Sequence, residues 1–449
     1  MSDDSQMRSL RTFFNALVLW FCVCEHSWSY ADSCKVNLAR QAPSRFPVVF
    51  KPHGKLHGAR AVKLQAWKYQ AKKWVRVPLQ VDEVDSDGSY VLEEGLPYTR
   101  YNDDGFIDAN DELSLHARSL GESFTTKQLS KQLLVTLSRW ARVDFCSSHK
   151  LYLGSILVGE GKEIAAPLSF KPLFLRQTAE VETPKYHYRF RQDQPMLIGD
   201  VKLKTANGEK NVFSGSSFLM PLIPKFFLFP TFHFGEDDFR SEIESWRSGP
   251  VRSIVAVGAK MRKFFSVLDL HLFSELVFYE DFFQIPTQIE FIFDPSRYLK
   301  RGSGLAYILS YPPDLEWKLE SNLEPLPSSG IEEGPFRKTA YEHSPQGIFG
   351  VRGSSSIGSF AANVRVDEKA LSQAPPPYLA SKEAFTSEEF KRAWPWLGKS
   401  KGSLGVFIEI SGVKTGRYDF ALDVALSNQA DDGFADFQTV SAFWPDPTD

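Results

Sequence analysis

Along most of the chain, large apolar residues return at every second position, the spacing of a strand with one buried face, and seldom at helical spacing. The clearest case is Tyr418-Asp419-Phe420-Ala421-Leu422-Asp423-Val424-Ala425-Leu426. Its large apolar residues share one face, and Asp419 and Asp423 share the other, which the pattern turns toward water. Residues 404–410 precede this strand across a turn-rich stretch, 411–416, and the pair is predicted to form a β-hairpin. Further strands are predicted at 47–50, 60–68, 132–138, 151–158, 251–257, 266–279 and 287–293. One short helix is predicted to begin at Thr386, where Thr386 and Glu389 have capping-box spacing, and to stop before Pro395. The expectation is a mainly β protein of one or more antiparallel β-sandwiches with few short helices.

Two composition shifts suggest boundaries: the Pro-, Ser- and Gly-rich stretch 321–336, and Pro375-Pro376-Pro377. They outline an N-terminal β-region over 32–160, a central one over 161–320 and a C-terminal one over 337–449, either as separate domains or as parts of one sandwich. No repeat of fixed period is present, which argues against a propeller or solenoid. Phe, at 37, outnumbers Gly at 29, so extensive aromatic packing is expected. Lys and Arg total 52 against 55 Asp and Glu, with no run of five or more basic residues. That balance lacks the basic excess that draws a protein onto nucleic acid.

The N-terminus has the layout of an export signal. Arg8 and Arg11 precede an apolar run over 13–24, too short for a bilayer core that needs about 20 residues. Ser29 and Ala31 occupy the −3 and −1 places of a cleavage site, so the mature chain would start at Asp32 in the periplasm or outside the cell. The competing reading is a buried or membrane-anchoring N-terminal helix. No later segment has the length of a membrane span. Cleavage removes Cys22 and Cys24 and leaves Cys34 and Cys146, which either pair as one disulfide in an oxidising compartment or stay as two buried thiols. A bridge between them would close a long loop, worth on the order of 4–5 kcal/mol in the chain-entropy model.

Residues 101–113 concentrate carboxylates and an amide around a glycine. Ca²⁺ needs about six to eight oxygens from a chain that turns sharply, and this composition offers both. The stretch resembles the calcium loops of EF-hand and dockerin modules, with Asn102, Asp104, Gly105, Ile107, Asp108 and Asp111 on the third, fifth, sixth, eighth, ninth and twelfth places. It departs from them at the first place, where Arg100 replaces an acidic ligand. A second acidic turn, 80–88, brings Asp82 and Asp85, so the two turns are expected to share one structural Ca²⁺. The alternative is a pair of solvated Asp/Asn/Gly turns. His116 is an outside candidate for that shell.

Residues 77–83, Val-Pro-Leu-Gln-Val-Asp-Glu, together with 108–121, Asp-Ala-Asn-Asp-Glu-Leu-Ser-Leu-His-Ala-Arg-Ser-Leu-Gly, resemble a segment of a group of uncharacterised secreted bacterial proteins. More distantly, they resemble β-sandwich proteins that act on or accompany polysaccharides. Gly249-Pro250-Val251-Arg252, opening a strand, is similar to a recurrent feature of those sandwiches. The resemblance implies an exported β-rich protein; neither motif is a catalytic signature.

Metalloprotease, nucleophile-elbow, phosphate-loop and dinucleotide motifs are all missing from the sequence. The best catalytic candidates are His233, Glu236, Asp237 and Asp238, set among Phe residues and followed by Arg240, Glu242, Glu244, Trp246 and Arg247. Aromatic faces stack on sugar rings, and paired acids can exchange protons with a glycosidic oxygen. The competing reading is a Phe-rich loop packed in the core whose acids cap the next element. The sequence therefore points to an exported, non-catalytic binding or structural protein of the envelope. Its expected partner is a glycan or an envelope protein, and the alternative is a polysaccharide lyase or glycoside hydrolase built on 229–247.

Overall fold

The computed structural model describes residues 47–86, 88–95, 104–124, 128–129, 137–146, 152–161, 172–226, 230–261, 271–312, 317–321, 324–325, 336–338, 348–380, 403–428 and 441–443. Among the described residues the strands form five sheets, nearly all with antiparallel pairing, and the α-helices are the short Pro295–Tyr298 and Glu368–Leu371. The expected mainly β, antiparallel sandwich architecture is what the chain adopts.

The largest layer is a ten-stranded sheet. Its centre runs Ile348–Ser355, Gly358–Val366, Gly416–Ser427, Phe282–Phe291, His271–Phe278, Ser253–Met261 and Phe239–Ser248. Phe282–Phe291 and Gly416–Ser427 pair along their whole shared length, from Phe282 opposite Ala425 to Phe291 opposite Gly416. Described strands from before and after the stretch 321–336 thus lie hydrogen-bonded in one sheet.

One face of this sheet packs against two others. These are a five-stranded sheet built from Leu173–Leu175 through Gly208–Phe213, and a six-stranded sheet that includes Gly215–Leu222, Gly304–Ser310 and Ser403–Glu409. The aromatic excess gathers in this core. The Tyr188 ring sits 4.9 Å from Phe190, 4.8 Å from Phe278 and 5.2 Å from Phe283, each edge to face. Such contacts each add about 0.5–1.5 kcal/mol beyond area burial.

The hairpin expected across 411–416 does not form. Ser403–Glu409 pairs with Gly304–Ser310 in the six-stranded sheet, whereas Gly416–Ser427 lies in the ten-stranded one. Residues 410–415 carry the chain between layers, with the Ile410 N–H donating to the Ser303 carbonyl. Both strands have an apolar face, and facing each other across the common core buries Val406, Phe420 and Val424, which in-plane pairing alone would not achieve.

The N-terminal region is a smaller sandwich. Pro47–Phe50, Glu112–His116 and Gln80–Asp82 form a three-stranded sheet. It packs on a five-stranded one made of Leu64–Gln70, Lys73–Val77, Arg139–Cys146, Tyr152–Glu160 and, from the far end of the chain, Ser441–Phe443. In return Glu94–Gly95 adds an edge strand to the ten-stranded sheet. The predicted helix at 386, most of the predicted strand 132–138, Cys34 and the side chain of Cys146 lie outside the described residues.

Phe283 is fully buried in the aromatic cluster. Phe283→Ala is expected to lower stability by about 3–5 kcal/mol, read as a shift of the urea midpoint at unchanged slope.

Candidate functional site

The three motifs quoted from the sequence meet at one place, the junction between the small sandwich and the ten-stranded sheet. Gln80 and Asp82 come from one strand of the small sandwich and Glu112 from its neighbour, and Arg252 stands just before Ser253–Met261. The Gln80 Oε1 accepts the backbone N–H groups of Val251 and Arg252, each at 2.9 Å, and the Gln80 amide donates to Asp82 at 2.7 Å. Arg252 is 1% exposed. Its Nε donates to Asp82 at 2.7 Å, one terminal nitrogen to Glu112 at 2.9 Å and the other to the Tyr279 hydroxyl at 3.1 Å. The Tyr90 hydroxyl donates to the same Glu112 oxygen at 2.6 Å, and its ring lies 5.1 Å from the guanidinium. Gly249 is required at this approach, because a Cβ there would sit 2.1 Å from the Gln80 oxygen. Burial opposes charge on Glu112, but the field of Arg252 and the hydrogen bonds from Tyr90 and Arg252 outweigh it and hold the carboxyl below its ordinary value.

This arrangement changes the roles expected for the acidic turns. Asp82, 1% exposed, answers the charge of Arg252. Asp104 and Asp108 accept the N–H groups of Phe106 and Asn110 at 2.8 and 2.6 Å, the local turn-closing bonds that Asp favours. The two turns do touch, but through a backbone bond: Asp111 is buried and accepts the Asp108 N–H at 2.7 Å and the Val84 N–H at 3.2 Å. Asp85 accepts the Ser89 N–H at 3.0 Å. Among the described residues no group of three or more His, Cys, Asp or Glu is placed to hold a metal ion. Asn102 lies outside them. Of the residues expected to share a cation, Asp82 is paired with a guanidinium, and Asp111 accepts N–H donors. His116 is buried, and burial followed by the charge of Arg118 pushes its imidazole down to about 4.

The second acidic turn has a different neighbour. Gly88 and Ser89 lie over the outer face of the ten-stranded sheet, the face turned away from the aromatic core, and wall a cleft of about 600 Å³. Gly88 and Ser89 line one side. Phe273 and Glu275 of His271–Phe278, Pro286 and Gln288 of Phe282–Phe291, Arg365 of Gly358–Val366, and Arg417 and Asp419 of Gly416–Ser427 form the floor and opposite side. Strict alternation along four neighbouring strands puts these residues on one face. The polar groups hold one another: Gln288 donates to Asp419 at 2.9 Å, Arg365 makes a two-pronged contact with Asp423 at 2.7 and 3.0 Å, and Gln284 donates to Asp423 at 3.0 Å. Asp423, expected to face water, is 5% exposed beneath these partners.

Glu275 differs from the other acids of the cleft. Its Oε1 accepts the Tyr90 N–H at 2.9 Å, and no Lys or Arg pairs with it among the described residues. Burial pushes its carboxyl up to about 8 against the Tyr90 N–H, with Asp85 and Glu112 adding to the rise and Arg252 opposing it. The sequence reading did not single out Glu275, Gln288, Arg365 or Arg417. The available signal was a lone Glu on a strand of otherwise apolar and small residues, Leu272-Phe273-Ser274-Glu275-Leu276-Val277-Phe278.

The candidates in 229–247 are placed differently. His233 is half-buried on the edge strand Phe232–Gly235, opposite Pro221. Glu236, 8% exposed, accepts an Arg191 N–H at 2.6 Å, Asp238 accepts the Gly235 N–H at 2.8 Å and Asp237 is exposed. Glu236 serves an ion pair and Asp238 a turn cap; none of the four residues lines the cleft, and Glu236 lines a separate, largely apolar cavity.

No family model matches the sequence, and no curated protein does. Among solved structures the chain is similar to an α-mannosidase from Enterococcus faecalis, with 10% identity, a TM-score of 0.38, and 91% of this chain and 42% of that one covered. A glycosyl hydrolase family 38 protein from the same organism gives 10% identity and a TM-score of 0.40 over the same shares. A galactose mutarotase-like protein from Lactobacillus casei gives 12% identity and a TM-score of 0.31, covering 55% of this chain and 99% of that one. The chain thus spans less than half the length of the first two.

Arg252→Met would remove the buried cation that Asp82 and Glu112 share, leaving Asp82 facing Arg247 at 3.8 Å and Glu112 facing Lys51 at 3.5 Å, at a cost of about 3–5 kcal/mol. Adding Asp82→Asn and Glu112→Gln should recover much of that loss in urea titrations; no recovery would mean that packing, not charge, dominates. A second outcome concerns pH. Because the folded chain holds the Glu275 proton up to about 8 and the unfolded chain releases it near the ordinary carboxylate value, stability drains as pH rises through that window. Glu275→Gln should therefore gain on the wild type by a few degrees of melting temperature between about pH 5 and about pH 9. An equal difference at both ends would contradict the assignment.

Proposed function

We propose that the protein is exported and binds a neutral glycan in the cleft on the outer face of the ten-stranded sheet. The observation that carries this reading is the combination found there: amide, guanidinium and carboxylate groups already fixed to one another, beside the apolar surfaces of Phe273 and Pro286. A sugar ring presents hydroxyls that both donate and accept, with C–H surfaces above and below. A site that offers paired donors and acceptors next to apolar surface complements both features. Because Gln288 and Arg365 are held by Asp419 and Asp423, little side-chain freedom remains to be lost on binding. The charges are mixed, with Arg365 and Arg417 against Asp367, Glu368 and Asp419, which suits an uncharged polar ligand better than a polyanion.

Export belongs to the same proposal and is supported by the layout from Arg8 to Ala31. Among the described residues no helix is long and apolar enough to cross a membrane.

Affinity electrophoresis through gels containing xylan, galactomannan, β-glucan or starch tests the reading. At least one should retard the wild type, and Arg417→Ala with Asp419→Ala should remove about tenfold or more of that affinity without changing the circular dichroism. Retardation that survives the double variant, or no retardation by any neutral polysaccharide, would overturn the cleft as a glycan site. The N-terminus of exported material should be Asp32.

A further inference from the structure

We propose that Glu275 is the acid–base residue of this cleft, exchanging its carboxyl proton with an oxygen of the bound sugar. The inference rests on the glycan reading and deepens it, and it starts from geometry. Glu275 stands on an inner strand of the ten-stranded sheet, with Phe273 on the same face, and it lines the cleft. One oxygen is anchored by the Tyr90 N–H, leaving the other as the exchanging atom. The cleft's other carboxylate on the sheet floor, Asp419, accepts from Gln288 and is exposed, and Asp423 is answered by Arg365 and Gln284. Glu275 has no such cation or amide partner. It is therefore the acid of the sheet floor whose neutral form costs least.

The charged groups around it come from every packed element. Asp85 lies on the covering turn, and Glu112 and Arg252 lie at the junction. Arg365 lies on Gly358–Val366, Asp367 and Glu368 just beyond it, and Arg417 and Asp419 on Gly416–Ser427. Asp85 and Glu112 disfavour a further negative charge, and Arg252 acts the other way but is already shared between Asp82 and Glu112. Burial adds to the first pair, and the carboxyl rises to about 8. An acid neutral at physiological pH, within reach of a polar cleft, is suited to general acid–base work. In the exchange the O–H bond at Glu275 breaks and an O–H bond forms on the sugar oxygen. The electron pair remains on the carboxylate, where the Tyr90 N–H stabilises it, and the reverse transfer restores the acid. No oxidant, reductant or further reactant is involved.

The test uses the full chain and a readout that needs no known ligand. A protonated carboxyl has a C=O stretch that its carboxylate lacks, so infrared difference spectra between the wild type and Glu275→Gln, recorded across pH, isolate the Glu275 proton. The expected result is a carboxylic-acid band that is missing in Glu275→Gln, persists at about pH 7, disappears by about pH 9.5 and shifts promptly on transfer to D2O. Glu275→Gln should keep the wild-type circular dichroism. No such band at about pH 7, or a band that does not shift in D2O, would overturn the inference, the second because the group would then be closed to the cleft. Turnover of any p-nitrophenyl glycoside that survives Glu275→Gln would overturn it as well. Failure of polysaccharide retention with the neutral-pH band intact would instead remove the glycan reading and leave a protonated acid open to a cleft.

Discussion

Burying a guanidinium is costly unless its charge and its donors are all answered. In this chain the charge of Arg252 is answered by Asp82 and Glu112, each more than a hundred positions away. Tyr279 takes a further donor, and Gln80 takes the backbone N–H groups of Val251 and Arg252. Such a cluster is not a source of net stability relative to well-packed apolar residues of the same volume. What it does is exclude alternatives. Any sliding of the small sandwich along the large sheet strands at least one buried charge, whereas an apolar contact would tolerate a shift. The same docking sets Gly88, Ser89 and Tyr90 over the sheet, and the Tyr90 N–H reaches Glu275 as a consequence. The cleft is thus built by the junction, and neither sandwich forms it alone.

The two faces of the ten-stranded sheet show how one period-two pattern serves two ends. Inward positions carry Phe283, Phe278, Tyr418 and Val424 into a core shared by three sheets. Outward positions carry Glu275, Gln284, Gln288, Asp419 and Asp423. An outward strand face usually meets water, but here neighbouring strands supply partners in register: Gln284 stands opposite Asp423, and Gln288 opposite Asp419. Cross-strand pairs of this kind satisfy polar groups without an apolar partner, and they can be covered by a docked element without leaving unmet donors.

Much of this was legible in the sequence, and the losses have physical causes. Alternation disclosed the β class and the orientation of Gly416–Ser427, because side-chain direction is a local property of the backbone. It could not disclose which strand lies beside which. Residues 404–410 and 418–426 look like a hairpin, since turn residues separate two amphipathic strands, yet the chain uses the turn to change layers. The acidic turns were recognised as special from composition, but their carboxylates answer Arg252 and backbone N–H groups. Charge density on a short span says that compensation is needed; it does not say whether a bound cation or a distant arginine provides it. Gly249-Pro250-Val251-Arg252 contained the missing half of that statement, separated by too much chain for spacing to connect them.

Glu275 follows from the same logic carried one step further. A chain that gathers Asp82, Glu83, Asp85, Asp111 and Glu112 on turns that converge at one junction needs cations there. The junction commits its buried cation, Arg252, to two of them. The next acid outward is left with a backbone N–H and the field of its neighbours, so its cheaper state is the protonated one. Replacing Glu275 by a neutral amide would relieve that repulsion at no cost to the Arg252 cluster. An ionisable group held where an uncharged one would be more stable is what the proposed acid–base role requires of Glu275.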